Sequence, residues 1–290
     1  MQGRSPLGCF SLALLTLLLS CARIAAAQTT VGFAERQPSV LQVPRFADRD
    51  VADAMATLDR LLPVEKDPQK WGAQAADALW NFARHLQTGR LTRTQEARVL
   101  EHLDSLAAAH PGGAQTVAHA RFMVSALTVG KTAPDIIGRD LDGANLRLAD
   151  FRGKVVVLTF SAEWCGICRT LYPYQRLMLE LYKNWPFAMV SVETGSSAAG
   201  VKQAKLEAGL PYRSWWDAPG ASGSGAIAST WNVGGFPTLY VIDRQGVIRF
   251  VDLRYEDLLK GVRQLLSEDV PVASAATAGT RASEPTPRNN

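Results

Sequence analysis

Apolar positions along the chain fall into two regimes. Between about residues 48 and 128 they recur at helix spacing: Val51, Met55, Leu58 and Leu62, then Trp71, Ala75, Leu79, Phe82 and Leu86. The pairs Leu103 with Leu106 and Val124 with Leu127 continue the period. Pro63, Pro68, Gly89 and the run Pro111, Gly112, Gly113 interrupt it, and Thr92 with Gln95 offers a capping box for the third helix. The pattern predicts a helical domain of about four helices over residues 48–128.

From residue 129 the period shortens. Residues 135–148 carry Asp142 and Gly143 between two short apolar arms, a predicted β-hairpin. The run Val155, Val156, Val157, Leu158, Thr159, Phe160 suits a central strand buried on both faces. Residues 165–184 read as a helix kinked at Pro173. Further strands are predicted at 187–192, 238–242 and 247–251, with helices at 198–208 and 256–266 and a hairpin turn at 243–246. Residues 129–268 therefore read as one α/β layer preceded by the helices. Trp215 and Trp216, in a Gly- and Pro-rich stretch before Trp231, are expected to pack that stretch rather than face a substrate.

The two ends carry no such periodicity. Arg4 followed by an apolar run at 7–19 matches a secretory signal, too short to span a bilayer. Two cleavage readings stay open. Ala25, Ala26 and Ala27 before Gln28 suit a plain signal peptide over 1–27, whereas Leu18, Leu19, Ser20, Cys21 is similar to a lipobox that would make Cys21 a lipid anchor. An uncleaved anchor is the third alternative, and all three place the body of the protein on the exported, periplasmic or extracellular side. Residues 28–47 read as a linker, and the Ala, Ser, Thr and Pro content of 269–290 predicts a disordered tail.

Composition narrows the function classes. With 290 residues, 47% of them hydrophobic and 20% charged, the chain is long enough for about two cored domains. A formal charge of +4 without a concentrated basic stripe argues against a nucleic-acid partner. The four His residues, at 85, 102, 110 and 119, lie at no ligand spacing, so no metal site or cofactor is expected. Once the signal is processed, Cys165 and Cys168 are the thiols that remain. A bridge over so few residues removes little unfolded-state entropy, so the pair points to chemistry rather than a staple.

At the start of a helix, Cys165 is placed where unpaired backbone N–H groups favour a thiolate, and Cys168 one turn later can resolve a mixed disulfide. The strand, then Trp164, Cys165, Gly166, Ile167 and Cys168 opening a helix, resembles the thioredoxin superfamily, and within it the exported TlpA/ResA-like thiol-disulfide oxidoreductases. Gly130 to Pro134, Phe151 to Lys154, the loop Gly235, Phe236, Pro237, Thr238, and Asp243 with Gly246 carry the same likeness. The resemblance implies a thioredoxin-like fold, a central mixed sheet flanked by helices, over the C-terminal half. It also implies Cys165 and Cys168 as a redox-active catalytic disulfide, with Trp164, Gly166, Ile167, Phe236 and Pro237 shaping the site. Pro237, cis as the resemblance implies, would leave the neighbouring backbone free for an incoming peptide. The implied partners are protein thiols or disulfides and a membrane electron donor or acceptor, with reduction favoured over oxidation. Membrane contact would come only through a lipid anchor at Cys21.

The departures are specific. Gly166 and Ile167 stand where Gly-Pro is usual, Thr159 stands where thioredoxins carry a buried Asp, and Leu171 lies where the relatives often carry a Glu. Glu163 and Glu193 are the nearest carboxylates to take over proton transfer, though charge beside a strand end is usually solvated. A thioredoxin-fold peroxidase lacks its Thr-x-x-Cys setting here, and a redox-inactive binding module is disfavoured by the intact pair.

Overall fold

The computed structural model describes residues 40–62, 71–195, 197–220 and 225–268. The apolar run at 7–19, Cys21 and the tail from 269 lie outside the described residues.

Among the described residues four helices precede the strands: α1 (Asp48–Leu61), α2 (Ala73–Gln87), α3 (Arg93–Ala109) and α4 (Ala114–Ala126). The capping box forms as the spacing requires. Thr92 Oγ1 accepts from the Gln95 N–H at 3.2 Å, and Gln95 Oε1 accepts from the Thr92 N–H at 2.8 Å. Such a cap contributes about 1 kcal/mol. The same Gln95 amide donates to the Phe46 carbonyl and to Asp48 Oδ1, so the start of α3 also fixes the start of α1.

The hairpin is β1 (Ile137–Arg139) against β2 (Asn145–Arg147), antiparallel, with Gly143 at φ 78° in its turn. A left-handed φ of that size is open to glycine at no steric cost. Asp140 organises the turn by accepting from the N–H groups of Asp142 and Ala144, while Arg213 donates to it from 2.6 Å.

Then follow β3 (Val155–Ala162), α5 (Gly166–Arg169), α6 (Tyr172–Leu181), β4 (Phe187–Thr194), α7 (Ala198–Glu207), β5 (Ser214–Trp216), α8 (Ala226–Thr230), β6 (Thr238–Ile242), β7 (Ile248–Val251) and α9 (Tyr255–Ser267). The five-stranded sheet has the order β5-β4-β3-β6-β7. Its first three strands are parallel, and β6 and β7 run antiparallel to their neighbours. Central mixed sheet and flanking helices agree with the expectation.

Two features differ from the sequence reading, the helix over 165–184 and the short elements β5 and α8. The helix expected over 165–184 is two helices, because the chain turns at Thr170 and Leu171 and Pro173 sits in the first turn of α6. There its missing N–H costs nothing, so it starts a helix instead of kinking one. The strand β5 and the short helix α8 were not anticipated, being too brief to show a period. Trp215 is core: it is fully buried in β5, and its indole N–H donates to the Leu146 carbonyl at 3.0 Å.

Every residue of β3 is buried. Val155 and Val157 face a cluster made with α6 and α9 through Leu171, Met178, Leu258 and Val262. Val156, Leu158 and Phe160 face the other way, into a cluster that also contains Val51, Leu79, Leu86, Leu103 and Val124 of the four helices. Among the described residues from Val40 onward the chain forms one unit, and the apolar cluster on that face of the sheet runs on into the four helices.

Burial alone would raise the Asp140 carboxyl, but the hydrogen bonds from Arg213, Ala144 and Asp142 hold it below its ordinary 3.8. A carboxylate with a depressed folded pKa stabilises above its unfolded pKa, and that stabilisation disappears as pH falls through the folded value. Asp140→Asn is therefore expected to lose about 2 kcal/mol at neutral pH. In urea unfolding, the gap to the wild type should narrow as pH drops below the ordinary 3.8.

Candidate active site

The candidate site lies where β3 ends. After Ala162 the chain turns, with the Cys165 N–H donating to the Ala162 carbonyl, and α5 begins at Gly166 with Cys165 as its N-cap residue. Cys165 and Cys168 are joined as a disulfide, their Cα atoms 5.3 Å apart. The Cys168 N–H donates to Cys165 Sγ at 3.1 Å. Because α5 is a single turn, this direct bond, more than a summed helix dipole, is the electrostatic feature at the sulfur.

Cys165 is 6% exposed and Cys168 2%. Both pack with Ala162 and Phe236. Around them the surface is apolar and open: Trp164 is 65% exposed and Ile167 66%. Trp164 is thus not a core residue; its ring meets Phe236 edge-on at 5.9 Å. Gly166 is exposed, with open space where a Cβ would stand.

Phe236 and Pro237 come from the loop before β6, and the peptide bond between them is cis. Sequence reasoning placed this loop but missed what holds it. Arg254 Nη2 donates to the Pro237 carbonyl at 2.7 Å, and Thr238 Oγ1 donates to the Gly235 carbonyl at 2.9 Å. Asp252, at φ 57°, accepts from the Leu239 N–H and pairs with both Arg254 and Arg84. Arg84 and Trp80 belong to α2; the Trp80 indole N–H donates to the Asn232 carbonyl at 3.3 Å, and the Arg84 guanidinium lies 5.9 Å from the Trp80 ring. Burial lowers the pKa of both arginines from the ordinary arginine value. Nothing in the local pattern of α2 marks these contacts, because they depend on a loop some 150 residues later in the chain.

Of the two carboxylates nearest in sequence, Glu193 is buried and paired. It lies beside Ser161 in the β3–β4 register, hence on the sheet face that also carries Thr159. Lys205 Nζ stands 3.2 Å from Glu193 Oε1, 3.1 Å from Ser191 Oγ and 3.6 Å from the centre of the Tyr212 ring. Burial pushes the Lys205 ammonium down, the charge of Glu193 opposing that shift. Burial and then the Glu193 charge push the Tyr172 and Tyr212 phenols up. The Glu163 backbone carbonyl accepts from Arg169 at 2.9 Å. Leu171 is buried in the apolar cluster beneath α6, and Thr159 Oγ1 is buried without a hydrogen-bond partner among the described residues.

The histidines stay apart: His85 beside Phe46, His102 against Asp59, His110 stacked on Trp71 and His119 on α4.

Comparison with known proteins bears on this arrangement. Residues 128–266 match the Redoxin family. The chain is 32% identical over 125 residues to the thiol-disulfide oxidoreductase ResA of Geobacillus kaustophilus, covering 43% of this chain and 69% of that protein. It belongs to the ResA-like thiol-disulfide oxidoreductases. The thioredoxin-like protein YneN of Bacillus subtilis is 32% identical over 123 residues, 41% of this chain and 68% of that protein. A solved thioredoxin domain of a thiol-disulfide oxidoreductase from Bacteroides vulgatus is 28% identical, covers 49% of this chain and 99% of that domain, and superposes with a TM-score of 0.44. The matched family region begins at Thr128, so α1 to α4 lie outside it.

Removing one partner of a buried ion pair leaves the other uncompensated at a cost of about 3–5 kcal/mol. Glu193→Gln and Lys205→Met are each expected to destabilise by that amount. Urea unfolding of the double variant should show less than the sum of the two losses.

Proposed function

We propose that the protein reduces disulfides of partner proteins outside the cytoplasm and is recharged by a membrane electron donor. Cys165 is the nucleophile. The observation that carries this reading is the hydrogen bond from the Cys168 N–H to Cys165 Sγ, because a donor aimed at sulfur stabilises thiolate over thiol. Cys168, the more buried of the two, is the resolving thiol.

The electron balance is simple. The Cys165 thiolate attacks one sulfur of the substrate disulfide, that S–S bond breaks, and a mixed disulfide forms as the other substrate sulfur leaves with the electron pair. Cys168, deprotonated, then attacks Cys165 Sγ and releases the second substrate sulfur as a thiolate. The substrate has gained two electrons and the Cys165–Cys168 bond has formed. Two electrons and two protons from the donor restore the dithiol.

Trp164, Ile167 and Phe236 form the apolar rim on which a partner protein would rest, and Gly166 leaves room beside Cys165. Pro237 removes an N–H from the loop opposite the pair. Export is supported by the apolar run at 7–19 after Arg4. Residues 1–27 leave as a signal peptide, Cys21 becomes a lipid anchor, or the segment stays as an uncleaved anchor. No helix among the described residues is long and apolar enough to cross a membrane.

Redox titration against dithiothreitol buffers with thiol trapping tests the proposal. A reversible two-electron transition near or below about −270 mV is expected of a reductase. Cys165→Ser should abolish disulfide reduction, and Cys168→Ser should accumulate the mixed disulfide. A midpoint far above that potential would make the protein an oxidant, and a pair that never cycles would sink the enzymatic role.

A further inference from the structure

The loop that carries Phe236 also forms one side of a second depression. A groove of about 400 Å³ opens between α2, α4 and residues 232–234, lined by Asp77, Trp80, Thr116, His119, Asn232 and Gly234. Gly234 is two residues from Phe236, a distance of about 7 Å in extended chain. Phe236 in turn packs on the cysteine pair. The depression and the dithiol therefore adjoin along one short stretch of backbone.

That stretch is open to a ligand. Among the described residues, the backbone N–H groups of Gly234, Gly235 and Phe236 donate no hydrogen bond. Open space surrounds the position where a Cβ would stand on Gly235. On Gly234 a Cβ would meet the Trp80 indole at 2.5 Å, so α2 fits closely against the loop and forms the wall of the groove. The lining has one formal charge, the exposed Asp77 carboxylate, which makes no ion pair among the described residues. Unused N–H donors suit an extended peptide, and a lone carboxylate beside them suits a cation.

We propose that this groove is an extension of the substrate cleft. It takes the polypeptide segment flanking the target cysteine and favours a basic residue there, opposite Asp77. The proposal rests on the dithiol reading above. It gives the N-terminal helices a role in choosing the substrate.

The test uses the full chain carrying Cys168→Ser, so that reaction stops at the mixed disulfide. Two cysteine peptides activated as pyridyl disulfides serve as probes, alike except for Lys or Glu at the two residues beside the cysteine. The Cys165 thiolate attacks the peptide sulfur, the peptide–pyridyl S–S bond breaks, and thiopyridone leaves with the electron pair and is read by its absorbance. Each rate is divided by that for uncharged dipyridyl disulfide on the same variant, which cancels general changes at Cys165.

The Lys peptide is expected to react about three-fold faster than the Glu peptide, the size of an exposed charge pair. The preference should shrink as salt rises. Asp77→Lys should invert it, and Asp77→Asn, which keeps the side-chain shape, should bring it towards unity. Equal rates in the Asp77-containing chain, or a preference that survives both Asp77 variants, would overturn the assignment. Failure of Cys165 to react even with dipyridyl disulfide would instead count against the dithiol reading itself.

Discussion

The structure depends on the complete burial of β3. A strand apolar on both faces, placed at the centre of a five-stranded sheet, needs a layer of side chains on each side. On one side α6 and α9 supply it. On the other, the α/β half contributes the short α8 with Leu146 of the hairpin and Leu148 after it, and the same cluster runs on into Leu79, Leu86, Leu103, Val124 and their neighbours of the four N-terminal helices. Burial at about 25 cal/mol per Å² of apolar surface makes that layer a large term for the whole unit. The helices cannot be treated as an appendage, since their apolar stripes and the sheet face enclose the same core.

The site inherits its geometry from this arrangement. Cys165 and Cys168 sit at the end of the most constrained strand, so the position of α5 follows from β3. The facing loop is fixed separately, through Arg254 on the Pro237 carbonyl and Asp252 on the Leu239 N–H. Asp252 is in turn paired with Arg84 of α2, while Trp80 of the same helix reaches the Asn232 carbonyl. Two sides of the cysteine pair thus rest on different parts of the chain, and both sides trace back to the shared core.

The Glu193–Lys205 pair shows how charge is accommodated inside this sheet. Thr159 and Leu171 occupy positions where a carboxylate was expected from related proteins, and neither can exchange a proton near neutral pH. Charge is nevertheless buried on that sheet face, one strand over, where Glu193, Lys205, Ser191 and the Tyr212 ring satisfy one another. A paired and hydrogen-bonded carboxylate of this kind tolerates burial that an isolated one would not.

Local physics made much of the chain readable. The period of Val51, Met55, Leu58 and Leu62, the Thr92 and Gln95 cap, the apolar run of β3, the Asp142–Gly143 turn and the Cys-x-x-Cys spacing each rest on neighbours within one or two turns, so the sequence by itself determined those elements and the disulfide chemistry. Elements of three to five residues such as β5 and α8 have no period to show, and Pro173 reads alike as a kink or as a first-turn residue until the path of the chain is known. The three-dimensional packing alone showed that Trp164 is exposed, that Glu193 is paired, and that Trp80 and Arg84 brace the loop beside the cysteines. Those contacts join residues far apart in sequence, and their free energy depends on a shape that no local pattern of side chains encodes.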